Sequence, residues 1–503
     1  MRATTAAATA TTTPSHRHAR RRVTRGGYDR TRVEYAPVVQ VHVVGACVLL
    51  VASAVLSGER GAPTPTGLMS SDVQTAASPV RVVRLTTPDA PNTAEVSVAI
   101  DPTNRDHIVV SAYQVNRPGG TRVSNVLFLS RDGGQTWDEE LAANPERRAT
   151  QGDDAVVFAH DGTLFHSYIS FDGLRVSRPV LARNGIFVRR RDAATRGWDA
   201  PLAVIDHRNT VAPFEDKPWP GVDRGARSPR RGHLYVAWTR FDEYDTTRGD
   251  CRSEIHFSRS VDGGRSFAVP LRISDRQGTC LDDDDTVEGA VPAAAPDGEV
   301  YVAWSGPAGL VIDRSDDGGV AFREDRLVTQ IPGGWDIEVP GLSRSNGMPV
   351  TVVDGSTGPR RGMVTIAWID ARHGDPDVFV ASSTDRGQTW SAPVRVNDDA
   401  IGNGRLQLFV WLAQDQSTGT LHAVYHERGA AAESEMQVTL ARSEDGGRTW
   451  LNTPVPVAPF RTVAAVPFGD YNGIDASAGR MVAAFPHFVG EKQVGVSVAI
   501  ADR

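Results

Sequence analysis

Ser130-Arg131-Asp132-Gly133-Gly134-Gln135-Thr136-Trp137 recurs along the chain as Ser260-Val261-Asp262-Gly263-Gly264-Arg265-Ser266-Phe267 and as Ser315-Asp316-Asp317-Gly318-Gly319-Val320-Ala321-Phe322. It recurs again as Ser383-Thr384-Asp385-Arg386-Gly387-Gln388-Thr389-Trp390 and Ser443-Glu444-Asp445-Gly446-Gly447-Arg448-Thr449-Trp450. Only the third copy lacks the hydroxyl before its aromatic residue. Glycine supplies the positive φ of a tight hairpin. Aspartate and hydroxyl side chains can bond the turn's own backbone. The aromatic ring pins the hairpin into an apolar layer. Each copy follows an apolar run such as Val126–Leu129 or Val378–Val380, so each joins two antiparallel strands.

Aromatic to aromatic, the copies step by 130, 55, 68 and 60 residues. The first step is double, and Gly197-Trp198 near its middle reads as a decayed sixth copy. Two strands precede each hairpin. The first strands are Val96–Ile100, Val156–Ala159, Trp219–Val222, Val291–Ala295, Val350–Val353 and Phe409–Ala413. The second are Ile108–Tyr113, Leu164–Tyr168, Leu234–Trp238, Val300–Trp304, Val364–Trp368 and Leu421–Tyr425. A seventh unit, Tyr471–Ala476, Met481–Phe485 and Val494–Ile500, has three strands, and Val80–Leu85 can supply its fourth. The fold expected is all-β: a β-propeller of four-stranded antiparallel blades, closed by an N-terminal strand. Seven blades fit the spacing, with six as the alternative. Residues 80–503 form this domain, preceded by a leader over 1–57 and a Pro/Thr/Ser/Gly-rich linker over 58–79.

Net charge is −7 over 503 residues. Residues 1–58 hold eight Arg against Asp29 and Glu34, a net of +6, so the remainder carries about −13 (−7 − 6). So acidic a body speaks against nucleic-acid binding, which needs a basic surface. In the leader, an Arg-rich stretch precedes the 14-residue apolar run Val43–Leu56, which contains Ala52-Ser53-Ala54. The run is short for a membrane span and suits a signal peptide. Uncleaved, it would be a membrane anchor, the only membrane contact expected; Val44-Gly45-Ala46-Cys47 loosely resembles a lipoprotein box. The protein is expected to be secreted or held in the cell envelope, as a monomer.

The repeats resemble the Asp-box (BNR) repeats of the sialidase superfamily over roughly residues 90–503. Phe214–Trp219 (FEDKPW), Trp368–Arg372 (WIDAR) and Phe468–Gly473 (FGDYNG) are similar to signatures of exported bacterial "sialidase family" proteins. The resemblance implies a glycan or glycoconjugate partner and a Tyr nucleophile, an Asp acid/base and three Arg that grip a carboxylate. Sialidases depart from the two-carboxylate rule in using Tyr. The Arg-Ile-Pro motif that supplies the first of those Arg does not occur in this chain.

Propeller topology puts the Asp-box hairpins on one face and the starts of the innermost strands on the other. Asp132, Asp262, Asp317, Asp385 and Asp445 are therefore expected to be structural. The strand starts carry Glu95, Asp153, Asp154, Glu215, Asp216, Glu288, Gln407, Asp470 and Tyr471, with Asp154, Asp216 and Asp470 aligned at one position. The ends of the second strands carry Arg240, Asp242, Asp370, Arg372, Glu427 and Arg428. Crowded carboxylates raise one another's pKa and can furnish an acid and a base. Asp216, Asp470 and Tyr471 are the catalytic candidates. Arg240, Arg372 and Arg428, with Asp154 and Asp370, are the substrate-binding candidates. The bland alternative is salt bridges between blades. Adjacent residues point to opposite faces of a strand, so Asp470 and Tyr471 can act together only where the strand is irregular.

No organic cofactor is expected. Asp282-Asp283-Asp284-Asp285 could help hold Ca²⁺, or be a solvated loop. Cys251 and Cys280 fall in neighbouring loops on the same face; in an exported protein they form a disulfide, unless they lie too far apart. Two functions fit: a sialidase-like glycoside hydrolase acting on extracellular glycans, or a non-catalytic propeller that binds glycan or protein.

Overall fold

The computed structural model describes residues 80–174 and 182–502; the leader 1–57 and the linker 58–79 lie outside them. The described residues are all-β apart from one 3₁₀ turn, Pro145–Arg147. No helix among them is long and apolar enough to cross a membrane.

The strands form antiparallel meanders of four. The first is Thr93–Ile100, Ile108–Val115, Val123–Ser130 and Asp138–Leu141; the second is Thr150–Phe158, Leu164–Phe171, Arg183–Arg191 and Leu202–Arg208. A single parallel pairing of Val123 with Thr150 joins these two. The third is Phe214–Val222, Leu234–Phe241, Ser253–Ser260 and Leu271–Arg272; the fourth is Glu288–Ala294, Val300–Gly306, Gly309–Ser315 and Arg326–Thr329. The fifth is Val350–Val353, Val364–Asp370, Asp377–Ser383 and Val394–Arg395; the sixth is Arg405–Gln414, Leu421–Gly429, Met436–Ser443 and Leu451–Pro454. The last sheet has Gly473–Ser477, Arg480–Gly490 and Gln493–Asp502, and Arg81–Arg84 pairs with its final strand, Arg81 opposite Ile500.

Middle strands such as Val364–Asp370 are buried along their whole length, while Asp138–Leu141 is mostly exposed. A strand covered on both faces needs an uninterrupted apolar run, and VTIAWID is nearly that. Side chains interleave between successive sheets. Tyr235 and Phe257 meet Val302 and Trp304 between the third and fourth sheets. Tyr301 and Ile312 meet Ile366 and Trp368 between the fourth and fifth. The first sheet's Val96, Val110 and Phe128 pack with Val482, Val496 and Val498 of the last.

The repeated Ser-x-Asp-x-Gly hairpins close their hydrogen bonds locally. Asp132 accepts from the backbone N–H of Gln135 and Thr136, both at 2.9 Å, and from Thr136 Oγ1 at 2.6 Å. Ser130 Oγ donates to Asp132 at 2.8 Å and accepts from the Gly134 N–H. Asp262, Asp385 and Asp445 repeat this set. Asp317 keeps only the serine and backbone bonds, because Ala321 has no hydroxyl. In the second sheet Asp192 accepts from the N–H of Ala194 and Thr195. There Trp198 lies beneath the guanidinium groups of Arg189 and Arg191, at 4.3 and 5.6 Å. Cation–π contact thus holds the ring that the glycine hairpin presents elsewhere.

Candidate active site

The first strands of five sheets carry the same irregularity near their start. The register slips between Ala94 and Ser97, Gly152 and Ala155, Asp216 and Trp219, Glu288 and Val291, and Leu408 and Trp411. Each slip is a β-bulge, with two residues facing one on the partner strand. At its first unpaired position stand Glu95, Asp153, Lys217, Gly289 and Phe409, with φ of 52°, 45°, 49°, 87° and 57°. Such φ values are uncommon outside glycine, and at functional sites they serve to re-aim side chains. The bulge removes the strict alternation of faces, so neighbours in sequence can enter one cluster.

Six carboxyl groups and two cations gather there. Lys217 Nζ lies 3.2 Å from Asp470 Oδ2 and 3.8 Å from both Asp153 Oδ1 and Glu288 Oε1. Arg344 reaches the same Asp470 oxygen with Nε at 3.2 Å and Asp282 Oδ1 at 3.1 Å; it lies 3.8 Å from Glu288 Oε2. Tyr244 donates its hydroxyl to Asp282. Glu95 and Asp216 complete the set through their charge interactions with Asp470, Lys217 and Arg344. Glu288 is wholly buried, Asp470 and Asp216 nearly so, and the Arg344 side chain is 34% exposed, marking the solvent side.

The environment pushes these carboxyls in opposite directions. Burial, then repulsion from Asp216, raises Asp153 to about 8. Burial also raises Glu95, helped by Asp470, and Glu288, helped by Asp282. Burial raises Asp216 against the pull of Lys217. Burial acts on Asp470 and Asp282 too, but Lys217 and Arg344 outweigh it and hold both below the usual carboxylate range. The cluster thus contains carboxyls that keep a proton at neutral pH beside carboxylates that do not, the division that acid–base chemistry needs.

Three aromatic rings lie beneath the cluster. Trp219 and Trp411 have ring centroids 4.3 Å apart, and Tyr471 meets them at 5.5 and 6.0 Å. The Tyr471 hydroxyl is buried, makes no hydrogen bond, and is pushed up by burial and by Glu95 and Asp153. Beyond the tryptophans lies a cavity of about 470 Å³, lined by the later parts of the same strands.

Of the residues singled out in the sequence, Asp216, Asp470 and Tyr471 come together here. Asp154 does not align with Asp216. Counted from the bulge, Asp216 corresponds to Gly152 and Glu288, and Asp154 falls two residues later, where its carboxylate meets buried His166 Nε2 at 3.0 Å. Arg240 lies 3.9 Å from Glu215, which also takes bonds from His207 and Trp238. Arg372 grips Asp370, with Nε at 2.9 Å, and Asp370 also accepts from Trp368 Nε1. Arg428 is fully buried and bonded to Thr462 Oγ1 and the carbonyls of Ala431 and Ala432. These arginines are engaged within the protein. Asp284 accepts from the N–H groups of Trp335 and Asp336, and Asp282 belongs to the cluster. Among the described residues no group of three or more His, Cys, Asp or Glu is arranged to hold a metal ion. Cys251 and Cys280 are joined in a disulfide.

Lys217 and Arg344 were not among the residues singled out. Lys217 had a signal, as one of two lysines in the chain and inside the FEDKPW segment. Arg344 comes from the irregular stretch before Val350–Val353 and matches no motif.

No family model and no curated protein matches the sequence. Solved structures do resemble the fold. A Hadza microbial sialidase aligns at 12% identity and TM-score 0.44, covering 79% of this chain and 73% of its own. The alpha-L-arabinanase of Penicillium chrysogenum aligns at 13% and 0.43, covering 84% and 98%. The phage phi92 endosialidase aligns at 10% and 0.45, covering 84% and 69%. Likenesses this distant assign no chemistry to residues of this chain.

Proposed function

We propose that the chain is an exported, carbohydrate-active, seven-bladed β-propeller that hydrolyses glycosidic bonds at the Lys217–Asp470 cluster. The shared core of the first and last sheets and the pairing of Arg81–Arg84 with the last strand support a closed ring. The disulfide and the signal-like leader support export. The observation that carries the catalytic reading is the coexistence of Asp153, raised to about 8, with Asp470, held below the usual carboxylate range, around one ammonium. The oxygens of Asp153 and Asp470 are at most about 7 Å apart, since they lie 3.8 and 3.2 Å from Lys217 Nζ, an upper limit compatible with the spacing of paired glycosidase carboxyls. One of the protonated acids donates to the departing glycosidic oxygen. Asp470 stabilises the positive charge that develops on the sugar, and water completes the cleavage at the anomeric carbon.

The test is release from a fluorogenic sialoside and a panel of other aryl glycosides. Hydrolysis that disappears in Asp216→Asn and Asp470→Asn, and falls in Tyr471→Phe, is the expected result. No release from any substrate by a folded sample overturns it. A second reading, a non-catalytic propeller binding glycan or protein on this face, draws on one observation: Arg372 and Arg428 are spent on internal partners, and Tyr471 is almost wholly buried.

A further inference from the structure

We infer that residues 333–346 form a lid over the Lys217–Asp470 cluster, closed in this structure, which lifts to admit a glycan. The inference rests on the reading of the cluster as a glycan site and adds how that site is reached. The cluster is sealed as it stands. Glu288 is wholly buried, and Asp470 and Lys217 are only 2% and 9% exposed. The stretch that carries Arg344 covers them on the solvent side.

That stretch can swing as a unit. Both its feet stand at the end of Val364–Asp370. There the Ala371 N–H donates to the Pro332 carbonyl at 2.8 Å, and the Ile369 N–H to the Gly347 carbonyl at 3.4 Å. A loop whose ends meet is compact and can open locally while the sheets stay folded. Gly333 and Gly334, with φ of 92° and 82°, lie at one foot. Between the feet the chain pairs with itself, the Ile337 N–H donating to the Ser345 carbonyl and the Gly347 N–H to the Trp335 carbonyl, and it joins no sheet.

Specific contacts hold it down. Asp284 Oδ1 accepts from the N–H groups of Trp335 and Asp336 at 2.8 and 2.9 Å. Arg344 reaches Asp282 and Asp470, and Asn346 Nδ2 donates to the Asp470 carbonyl at 3.3 Å. Val339 is buried at the tip. A Cβ added to Gly341 would lie 3.1 Å from the Ala432 carbonyl oxygen and 3.3 Å from Thr462 Oγ1. The stretch therefore runs from the fifth sheet, past Asp282 and Asp470, to a loop of the sixth. Closure also has a cost. Trp335 Nε1 and Ser345 Oγ are buried without a hydrogen-bond partner, and lifting the lid hands both to water.

Opening can be read at the buried lysine. The chain has two lysines, Lys217 in the cluster and the exposed Lys492. The full chain is treated with a trace of N-hydroxysuccinimidyl acetate, and acetylation of each lysine is followed by peptide mass. In the parent, Lys217 is expected to react more slowly than Lys492. Asp284→Ala removes the acceptor of two lid N–H groups and should raise the Lys217 rate relative to Lys492 at least about tenfold. Unchanged hydrogen exchange of the Val364–Asp370 amides shows that the sheets stay folded. Val339→Ser loosens the tip without altering charge and should act in the same direction, and it serves alone if Asp284→Ala fails to fold. Lys217 reacting as fast as Lys492 in the parent, or no faster in a folded variant of either kind, overturns the inference. A lid that opens over a cluster that cleaves no glycoside sinks only the hydrolase reading. Hydrolysis by a protein whose Lys217 rate neither variant changes sinks only this one.

Discussion

Lys217 Nζ and Asp470 Oδ2 meet at 3.2 Å although 253 residues separate them in sequence, and the same Asp470 oxygen also receives Arg344. One carboxylate thus ties the start of the third sheet to the approach of the last.

Lys217→Met keeps the volume and removes the charge. Breaking a buried pair from one side leaves uncompensated carboxylates, at a cost of about 3–5 kcal/mol. Urea unfolding should show that loss at pH 7 and at pH 5 alike, since Asp470 and Asp282 are held below the usual carboxylate range and stay ionised at both, and it should shrink only as pH falls below about 4. A loss below about 1 kcal/mol at both, the scale of an exposed pair, would mean that the acids are solvated.

Asp153 is raised to about 8 in the folded protein, against about 3.9 when unfolded. The native state therefore holds a proton that the unfolded chain releases, and stability falls as pH rises from about 4 through 8. Asp153→Asn should flatten that decline and be the more stable protein at pH 8. Asp313, in Gly309–Ser315 and not a member of the cluster, is raised to about 8 mainly by burial and contributes in the same direction. Asp313→Asn therefore separates the general slope from the local one, read as thermal midpoint against pH.

The aspartates of the repeated hairpins act with the opposite sign. Burial alone would raise Asp262 and Asp445, but the hydrogen bonds they accept from their own turns bring both down to about 2. Their contribution is complete above the unfolded value of about 3.9 and is lost as pH falls towards 2. Asp445→Ala should cost about 1 kcal/mol at pH 7, the turn being open to solvent, and nothing further at pH 2. An acid-unfolding curve unchanged by the substitution would remove Asp445 from the account.

The Cys251–Cys280 bond joins residues 29 apart in sequence. Replacing both cysteines by serine should lower stability by about 2–4 kcal/mol. Because Asp282 lies just beyond Cys280, the change should also loosen its hold on Arg344. Unfolding with and without reductant distinguishes the two effects: the double variant must be insensitive to reductant, and the parent must fall to its level.

The strands were readable because each unit repeats one pattern. Apolar runs covered on both faces alternate with turns whose glycine and aspartate have a stated job. The run beginning at Val364 became the buried middle strand Val364–Asp370, and Val350–Val353 sits where its spacing put it. The cluster was readable only in part. Glu95, Asp153, Asp216 and Glu288 stand near strand starts, where topology collects them; Asp470 and Tyr471 were read as opening a strand but lie just before Gly473–Ser477, which starts two residues later than the expected Tyr471. Their alignment was not readable, because a bulge adds one residue without altering composition, and Asp154 consequently turns to His166. Arg372 and Arg428 were misleading for a different reason. A second-strand end brings an arginine near the mouth, but Asp370 beside the one and the carbonyls of Ala431 and Ala432 around the other engage it first.

In the last sheet, Gln493–Asp502 is hydrogen-bonded on one side to Arg480–Gly490 and on the other to Arg81–Arg84. During synthesis Arg81–Arg84 must wait until Gln493–Asp502 has been made before its partner exists. Non-local pairings of this kind are slow to form. Removing the Gln493–Asp502 strand would bare two edges at once, each a template for pairing with another molecule, so a chain halted or clipped just before Gln493 should be especially prone to self-association.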